Sequence, residues 1–256
     1  MAKKIFMLCS DCFSTVSLYN HINREYAIDR IIVEQPFRGA SLIKRRLRKL
    51  GFWKVTGQVL FGLLIVPVLN KGSRKRIREI IEENKLLEEP LPIDKIIAVP
   101  TVNDDACLQL MIKEKPDIVI VNGTRILSKK ILESTDAVFI NMHTGITPKY
   151  RGVHGGYWAL AKNDPSNCGV TVHLVDKGID TGAVLYQETI SVTQKDNFVT
   201  YPYLQFAKGI PLVLRSIEDN IRNDLKSIPP ATTESRLWSH PTIWNYIYNR
   251  VFKRIK

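Results

Sequence analysis

The chain has 256 residues, 45% of them apolar and 24% charged, which suffices for one large domain or one domain with an extension. Its formal charge of +12 comes from a single window: Arg38 to Arg78 holds twelve Lys and Arg and no acidic residue, leaving 25 cations against 25 anions elsewhere. That distribution excludes a protein basic throughout for nucleic-acid binding. Only Ile5 to Leu8 follow Met1-Ala2-Lys3-Lys4 before polar residues, so no signal peptide is expected, and four irregularly spaced cysteines indicate reduced thiols in a cytoplasm.

Lys4 to Leu8 reads as the first strand of a parallel sheet, followed by Cys9-Ser10-Asp11-Cys12. A redox or zinc role for Cys9 and Cys12 would need a second Cys pair or a surrounding signature; Cys107 and Cys168 are isolated, so the pair is read as structural. Phe13 to Ile22 reads as a helix and Ile31 to Val33 as a second strand. In the basic segment, Leu42, Leu47, Leu50, Phe52 and Trp53 interleave with cations, and sixteen uncharged residues, Val55 to Asn70, follow. A membrane span needs roughly 20 apolar residues, so this run is too short, and Pro67 is expected to interrupt it. Two readings stay open for this segment. One is a packed helical insertion with a solvated basic rim. The other is an interfacial segment whose cations meet anionic headgroups; RNA binding ranks third. Ile77 to Leu87 continues as a charged helix and Glu88 to Pro92 as a linker.

Ile93 to Val99 reads as a third strand. Asn103 or Asp104 caps a helix through Ile112, which Lys115-Pro116 ends. Asp117 to Val121 is an unbroken apolar strand, as a buried parallel strand requires. Asn122, Gly123, Thr124, Arg125, Ile126 and Leu127 form a strand-to-helix turn, and Ser128 caps Lys129 to Leu132. Strand and helix alternate four times, which implies an α/β, Rossmann-like, doubly wound, mostly parallel sheet.

Ala137 to Ile140 starts another strand, at whose end Asn141 and His143 point to one side. Thr144, Gly145 and Pro148 turn the chain into a loop, and Gly155-Gly156 opens a helix through Ala161. Gly169 to Leu174 alternates as a strand, Asp176-Lys177-Gly178 turns, and a second strand begins at Ala183, so Asp180 sits in a tight loop between two strands. An amide, an imidazole and a loop carboxylate form a proton-transfer trio in the place where open α/β sheets bind ligands. A metal site from His143, His154, His173 and Asp180 matches no metal spacing, and His173 is expected to alternate away from the Asp180 loop, so no metal is expected. Phe198 to Asn223 reads as one long helix or a broken pair, with Pro202 in the first turn and Pro211 at a kink; Ser227 to Thr233 is a linker. The division is therefore residues 1–228 as the main domain, with a basic and apolar insertion at 38–89, and 229–256 as an amphipathic extension.

Three motifs together carry a resemblance: Asn141-x-His143, Pro148-Lys149-Tyr150-Arg151-Gly152, and Gly169-Val170-Thr171 running to Asp176-x-Gly178-Ile179-Asp180-Thr181-Gly182. In this order and spacing they resemble the formyltransferase family that uses 10-formyltetrahydrofolate, over roughly Pro116 to Tyr186. The family includes glycinamide ribonucleotide, methionyl-tRNA and sugar-nucleotide formyltransferases. Thr144 to Thr147 departs from the Pro-Ser-Leu-Leu run common there, so a similar turn with a different lining is expected. The resemblance implies Asn141, His143 and Asp180 as catalytic residues, with Asn141 donating to the formyl oxygen, His143 stabilising or protonating the developing charge, and Asp180 orienting His143 or relaying a proton. It implies 10-formyltetrahydrofolate as cosubstrate, held by Asn122 to Leu127 and Asp176, and an amine pocket bordered by Ser10.

Only about 28 residues follow Ile228, too few for the C-terminal domain of a methionyl-tRNA formyltransferase. The Thr144-to-Pro148 loop with Tyr150-Arg151-Gly152 and His154-to-Trp158, plus the basic insertion, most resembles enzymes that formylate an amino sugar on a nucleotide diphosphate for surface polysaccharide, so the resemblance implies that amine, with Tyr150, Arg151, Gly152 and Tyr157 at the substrate. Glycinamide ribonucleotide or methionyl-tRNA is the second reading. A non-catalytic membrane- or RNA-binding protein built on 38–78 is the third. No nucleic acid is expected as partner; an anionic membrane surface at the bacterial inner face and a second copy of the chain stay open.

Overall fold

The computed structural model describes residues 3–36, 46–230 and 232–256. Its strands are β1 (Ile5–Ser10), β2 (Ile28–Glu34), β3 (Ile96–Val99), β4 (Ile118–Asn122), β5 (Val138–His143), β6 (Arg151–Gly152), β7 (Gly169–Leu174), β8 (Val184–Thr189) and β9 (Leu237–Trp238). Its main helices are α1 (Phe13–Glu25), α2 (Phe52–Glu83), α3 (Asp105–Glu114), α4 (Lys129–Leu132), α5 (Gly155–Ala161), α6 (Tyr201–Ile221) and α7 (Ile243–Phe252).

Seven strands form one sheet in the order β3-β2-β1-β4-β5-β7-β8. The first five are parallel; β7 and β8 run antiparallel to their neighbours. β1 is apolar at every position but its last because it is covered on both faces. Ile5, Met7 and Cys9 join a core with Leu18 and Ile22 of α1 and Val213 and Ile217 of α6. Phe6 and Leu8, on the other face, meet Met111 of α3 and Ile131 of α4. The chain leaves β1 toward β2 on one side and reaches β4 on the other, so the order in which strands are added reverses between the parallel neighbours β1 and β4.

Local sequence explains the ends of these elements. Asp104 caps α3 by accepting from the Ala106 N–H at 2.9 Å, and Lys115 closes it in the left-handed region just before Pro116. Ser128 caps α4 through the Ile131 N–H. β3 is shorter than expected, because Ile93 to Lys95 form a 3₁₀ turn after Pro92. α6 is one helix, with Pro202 in its first turn and Pro211 inside it.

Pro67 does not interrupt the apolar run. Phe52 to Glu83 is one helix of 32 residues, with a π turn over Phe61 to Ile65. Proline lacks the N–H that would bond the carbonyl four residues back, and a widened turn immediately before it absorbs the mismatch. Arg38, Leu42, Lys44 and Arg45 lie outside the described residues. α2, α5 and α7 meet in a third cluster, where Phe61, Tyr157, Trp158, Phe198 and Tyr246 pack together. β9 then runs parallel to β6, pairing Arg151 with Leu237 and Gly152 with Trp238. This short ladder ties the 229–256 extension to the loop that follows β5.

Candidate active site

β5 places its side chains alternately. Ile140 and Met142 enter the α1/α6 core, while Phe139 enters the α3/α4 core. Asn141 and His143 continue the Phe139 side at the carboxyl end of the sheet. The antiparallel register sets Asn141 opposite His173 and His143 opposite Thr171. Residues directly opposite share a face, so His173 reaches the site. Its Nε2 lies 3.1 Å from Asn141 Nδ2 and 3.7 Å from Asp180 Oδ1. The expectation that His173 alternates away from the Asp180 loop is therefore corrected. Alternation along one strand was visible in the sequence, but the register between strands was not.

The loop after β5 is pinned from β7. Thr171 Oγ1 donates to the Gly145 carbonyl at 2.7 Å and accepts from the Thr147 N–H at 3.1 Å. Gly145 allows a close approach: a Cβ there would stand 2.3 Å from the Tyr150 carbonyl oxygen and 2.8 Å from His143 Nε2. The His143 ring fills that space, with Nε2 2.8 Å from the Tyr150 carbonyl. A carbonyl only accepts, so Nε2 carries the proton and neutral His143 keeps its lone pair on Nδ1. Nδ1 faces Asp180 Oδ2 at 3.4 Å. By the same argument His173 Nδ1, 2.7 Å from the Leu174 carbonyl, carries a proton, and an Asn141 amide N–H faces Nε2.

Asp180 reaches β5 from the β7–β8 loop with φ of 51°, a conformation that Asp tolerates better than most residues. Its Oδ2 also accepts from the Gly152 N–H at 2.8 Å, and Arg151 donates to the Ile179 carbonyl beside it at 2.7 Å. Burial lowers the His143 pKa, and the Asp180 charge only partly opposes it. Burial acts to raise the Asp180 carboxyl, but the positive charge that either imidazole beside it can take up and the Gly152 N–H it accepts hold it below its ordinary value. At neutral pH the pair is thus a neutral imidazole beside a carboxylate, and a proton arriving at Nδ1 would be held between them.

Other residues singled out in the sequence have different surroundings. The Asn122 side chain is buried and donates to Ser14 and Thr15 Oγ at 3.0 and 2.9 Å, so it closes the floor of the β1/β4 notch. Gly123 faces Ser10 across that notch. Arg125 is bound to Glu34 at 3.3 Å and to the Pro100 and Gln35 carbonyls; Thr124 donates to the Arg125 carbonyl. Ile126 is exposed and Leu127 is buried in the α3/α4 core. The Asp176 carboxylate accepts from the Gly178 N–H and Thr181 Oγ1, stapling its own loop. Arg151 also donates to Ser235 Oγ at 3.0 Å. The expected substrate contacts of the Tyr150 and Tyr157 side chains are corrected: each residue is 1% exposed. The Tyr150 hydroxyl donates to Asp164 at 2.8 Å, and the Tyr157 hydroxyl accepts from Asn249 at 2.9 Å. Tyr150 acts on the site through its backbone carbonyl. Cys9 and Cys12 have different surroundings: Cys9 is buried under the sheet and raised to about 12 by burial, while Cys12 is exposed beside Ser14.

The family model described as formyl transferase matches residues 72–203, just over half of the chain. In sequence the chain is 34% identical over 179 residues to a methionyl-tRNA formyltransferase of Thermodesulfovibrio yellowstonii, which covers 70% of this chain and 56% of that one. It is 31% identical over 123 residues to the methionyl-tRNA formyltransferase of Syntrophus aciditrophicus, covering 48% and 39%. The chain thus spans about half the length of the curated relatives it matches. In fold it is similar to a 4-N formyltransferase from Francisella tularensis, with a TM-score of 0.57 at 17% identity over 92% of this chain and 76% of that one. It is likewise similar to a glycinamide ribonucleotide transformylase from Symbiobacterium toebii, with a TM-score of 0.59 at 15% identity over 90% and 92%.

Proposed function

The chain belongs to the formyl transferase family, and we propose that it moves a formyl group from 10-formyltetrahydrofolate to the amine of an amino sugar carried on a nucleotide diphosphate. The observation that carries formyl transfer is the cluster of Asn141, His143 and Asp180 at the carboxyl end of β5, inside the segment that matches the family. The Asn141 amide has one N–H toward His173 and a second for the formyl oxygen. As the amine nitrogen bonds to the formyl carbon, the carbonyl electron pair moves to oxygen, and that donor meets the charge as it develops. The amine proton passes to His143 Nδ1, where Asp180 stabilises the imidazolium. The bond between the formyl carbon and the folate nitrogen then breaks, the oxygen re-forms its carbonyl, and the proton leaves on the folate. No covalent enzyme intermediate is needed.

Two features support the amine class. A cleft beside the Tyr150 loop is lined by Lys149, Lys162, Asn163, Asp164, Glu234, Arg236, Trp238 and the buried Tyr150; Lys149 pairs with both carboxylates, which leaves Lys162 and Arg236 without a salt bridge among the described residues, each over the Trp238 ring. Those two cations suit a diphosphate. Proteins of similar fold include a sugar N-formyltransferase from a Shewanella species. A second reading, methionyl-tRNA, is favoured by the names of the sequence relatives. The test is tetrahydrofolate release with a panel of amino-sugar nucleotides, glycinamide ribonucleotide and methionyl-tRNA. The proposal requires the largest kcat/KM on an amino-sugar nucleotide. The largest value on methionyl-tRNA would replace it with the second reading.

A further inference from the structure

α2 is packed on one side only. Val55, Phe61, Ser73 and Ile80 are buried, while Trp53, Leu63 and Val68 are 75%, 68% and 68% exposed. α7 is built the same way: Tyr246 and Asn249 face inward, and Val251 and Phe252 are 63% and 73% exposed. The two helices meet without a gap, because a Cβ on Gly57 would lie 2.7 Å from the Trp244 indole, which is itself 47% exposed. Their outward faces therefore join at Trp244 into one apolar surface too extensive for scattered surface side chains.

Cations border this surface. Arg48, Lys49 and Lys54 lie near the start of α2, Lys71, Arg74 and Lys75 toward its end, and Arg250 and Arg254 at the end of α7. All are exposed, and none makes a salt bridge among the described residues, whereas Arg76 is paired with Asp196 at 2.8 Å and Arg46 donates to Gln58 at 2.7 Å. Neither residues 52–78 nor α7 contains an acidic residue.

Topology decides how such a surface would be used. β2 and β3 are hydrogen-bonded neighbours, so the chain between them leaves and re-enters on one side of any membrane. Neither the 17 residues before α2 (35–51) nor the 12 after it (84–95) suffice for a second crossing, which takes roughly 20 residues. α2 is also tied along its length, through Gln58 to the His240 carbonyl at 2.6 Å and through Arg76 to Asp196. By length and composition the 32-residue helix could cross a membrane, but with both of its ends returned to one sheet edge and its side tied to the domain it lies along an interface. A second copy fits poorly: a two-fold contact would set this patch against itself, cation against cation with no acid between them.

We propose that α2 and α7 together dock the protein on an anionic phospholipid bilayer, with Trp53, Leu63, Val68 and Phe252 entering the headgroup boundary and the bordering cations meeting lipid phosphates. This adds α7 to the surface expected from residues 38–78 alone, and it is independent of which amine is formylated.

The test is co-sedimentation of the full chain with vesicles of phosphatidylglycerol and phosphatidylcholine, and with phosphatidylcholine alone. The protein should bind the anionic vesicles at low salt, shift tryptophan emission to the blue, and release at high salt. Lys71→Gln/Arg74→Gln/Lys75→Gln should weaken partitioning by ~10²-fold, since each cation near such a surface is worth roughly fivefold. Leu63→Glu/Val68→Glu should abolish binding with an unchanged melting temperature; if that pair unfolds the protein, Trp53→Ser at the most exposed position should still weaken it. Absence of sedimentation with anionic vesicles at low salt overturns the proposal. So does a stable dimer in sedimentation velocity that Leu63→Glu/Val68→Glu dissolves.

Discussion

At the scale of single residues, the account rests on one proton position. His143 donates from Nε2 to the Tyr150 carbonyl, so only Nδ1, facing Asp180, is free to take a proton. Asn141→Ala, His143→Ala and Asp180→Ala should each lower kcat/KM by ~10²-fold or more, about 2.7 kcal/mol of transition-state stabilisation, while the proteins stay folded. Near-wild-type turnover by His143→Ala would remove its role. The pH profile gives a second check. A proton acceptor must be neutral, and burial lowers the His143 pKa from 6.5, so kcat/KM should be flat through neutrality and fall only below pH 6.5. Asp180 raises that pKa, so Asp180→Asn should move the acid limb to lower pH as well as reduce the plateau; an unmoved limb would dissociate the two residues. Gly145→Ala should also reduce activity at least tenfold, because its Cβ would displace the Tyr150 carbonyl or the His143 ring. Asn141, His143 and Asp180 were legible in sequence because each sits beside a strand end or tight turn. His173 was not, because its approach depends on the β5–β7 register. Tyr150 and Tyr157 were misplaced because side-chain type says nothing about which way a loop residue turns.

Among the elements, two of the contacts that attach the insertion and the tail involve titratable groups. Arg76 of α2 meets Asp196, whose carboxylate is fully buried and kept below its ordinary pKa by Arg76 and the Thr193 N–H and hydroxyl against the cost of burial. Arg76→Ala leaves that charge without its cation, so a loss of about 3–5 kcal/mol in urea unfolding is expected; Arg76→Lys should recover part of it. The second attachment surrounds His154 at the start of α5, where burial first and His240 second push its pKa down to about 3. A depressed imidazole contributes stability above pH 6.5 that is lost as pH falls from 6.5 toward 3. His154→Asn, suited to the same left-handed backbone, should therefore flatten the acid-side fall of the melting temperature. An unchanged slope would assign that fall to other groups. The helices and parallel strands were legible from caps and apolar runs. The β6–β9 ladder was not, since strands of two residues from distant parts of the chain carry no periodic signal. The unbroken helix through Pro67 was hidden for a related reason: the π turn that accommodates it is a backbone adjustment, not a residue pattern.

For the whole molecule, the sheet supplies the site and the insertion and tail supply a second surface. The fold class followed from four alternating strand and helix patterns, and the antiparallel edge of β7 and β8 completes it. In sequence the cationic excess lies in Arg38 to Arg78, whereas Asn141, His143 and Asp180 lie in the stretch whose charges balance. The central claim is that this cluster transfers a formyl group to an amine. The most direct measurement is single-turnover reaction of the protein with isotopically labelled 10-formyltetrahydrofolate and the panel of amines, reading the label in the N-formyl product by mass spectrometry. The account predicts labelled product on one amine at a rate that His143→Ala lowers by ~10²-fold or more. Labelled product formed equally fast by the folded His143→Ala protein, or no labelled product on any amine, would contradict it.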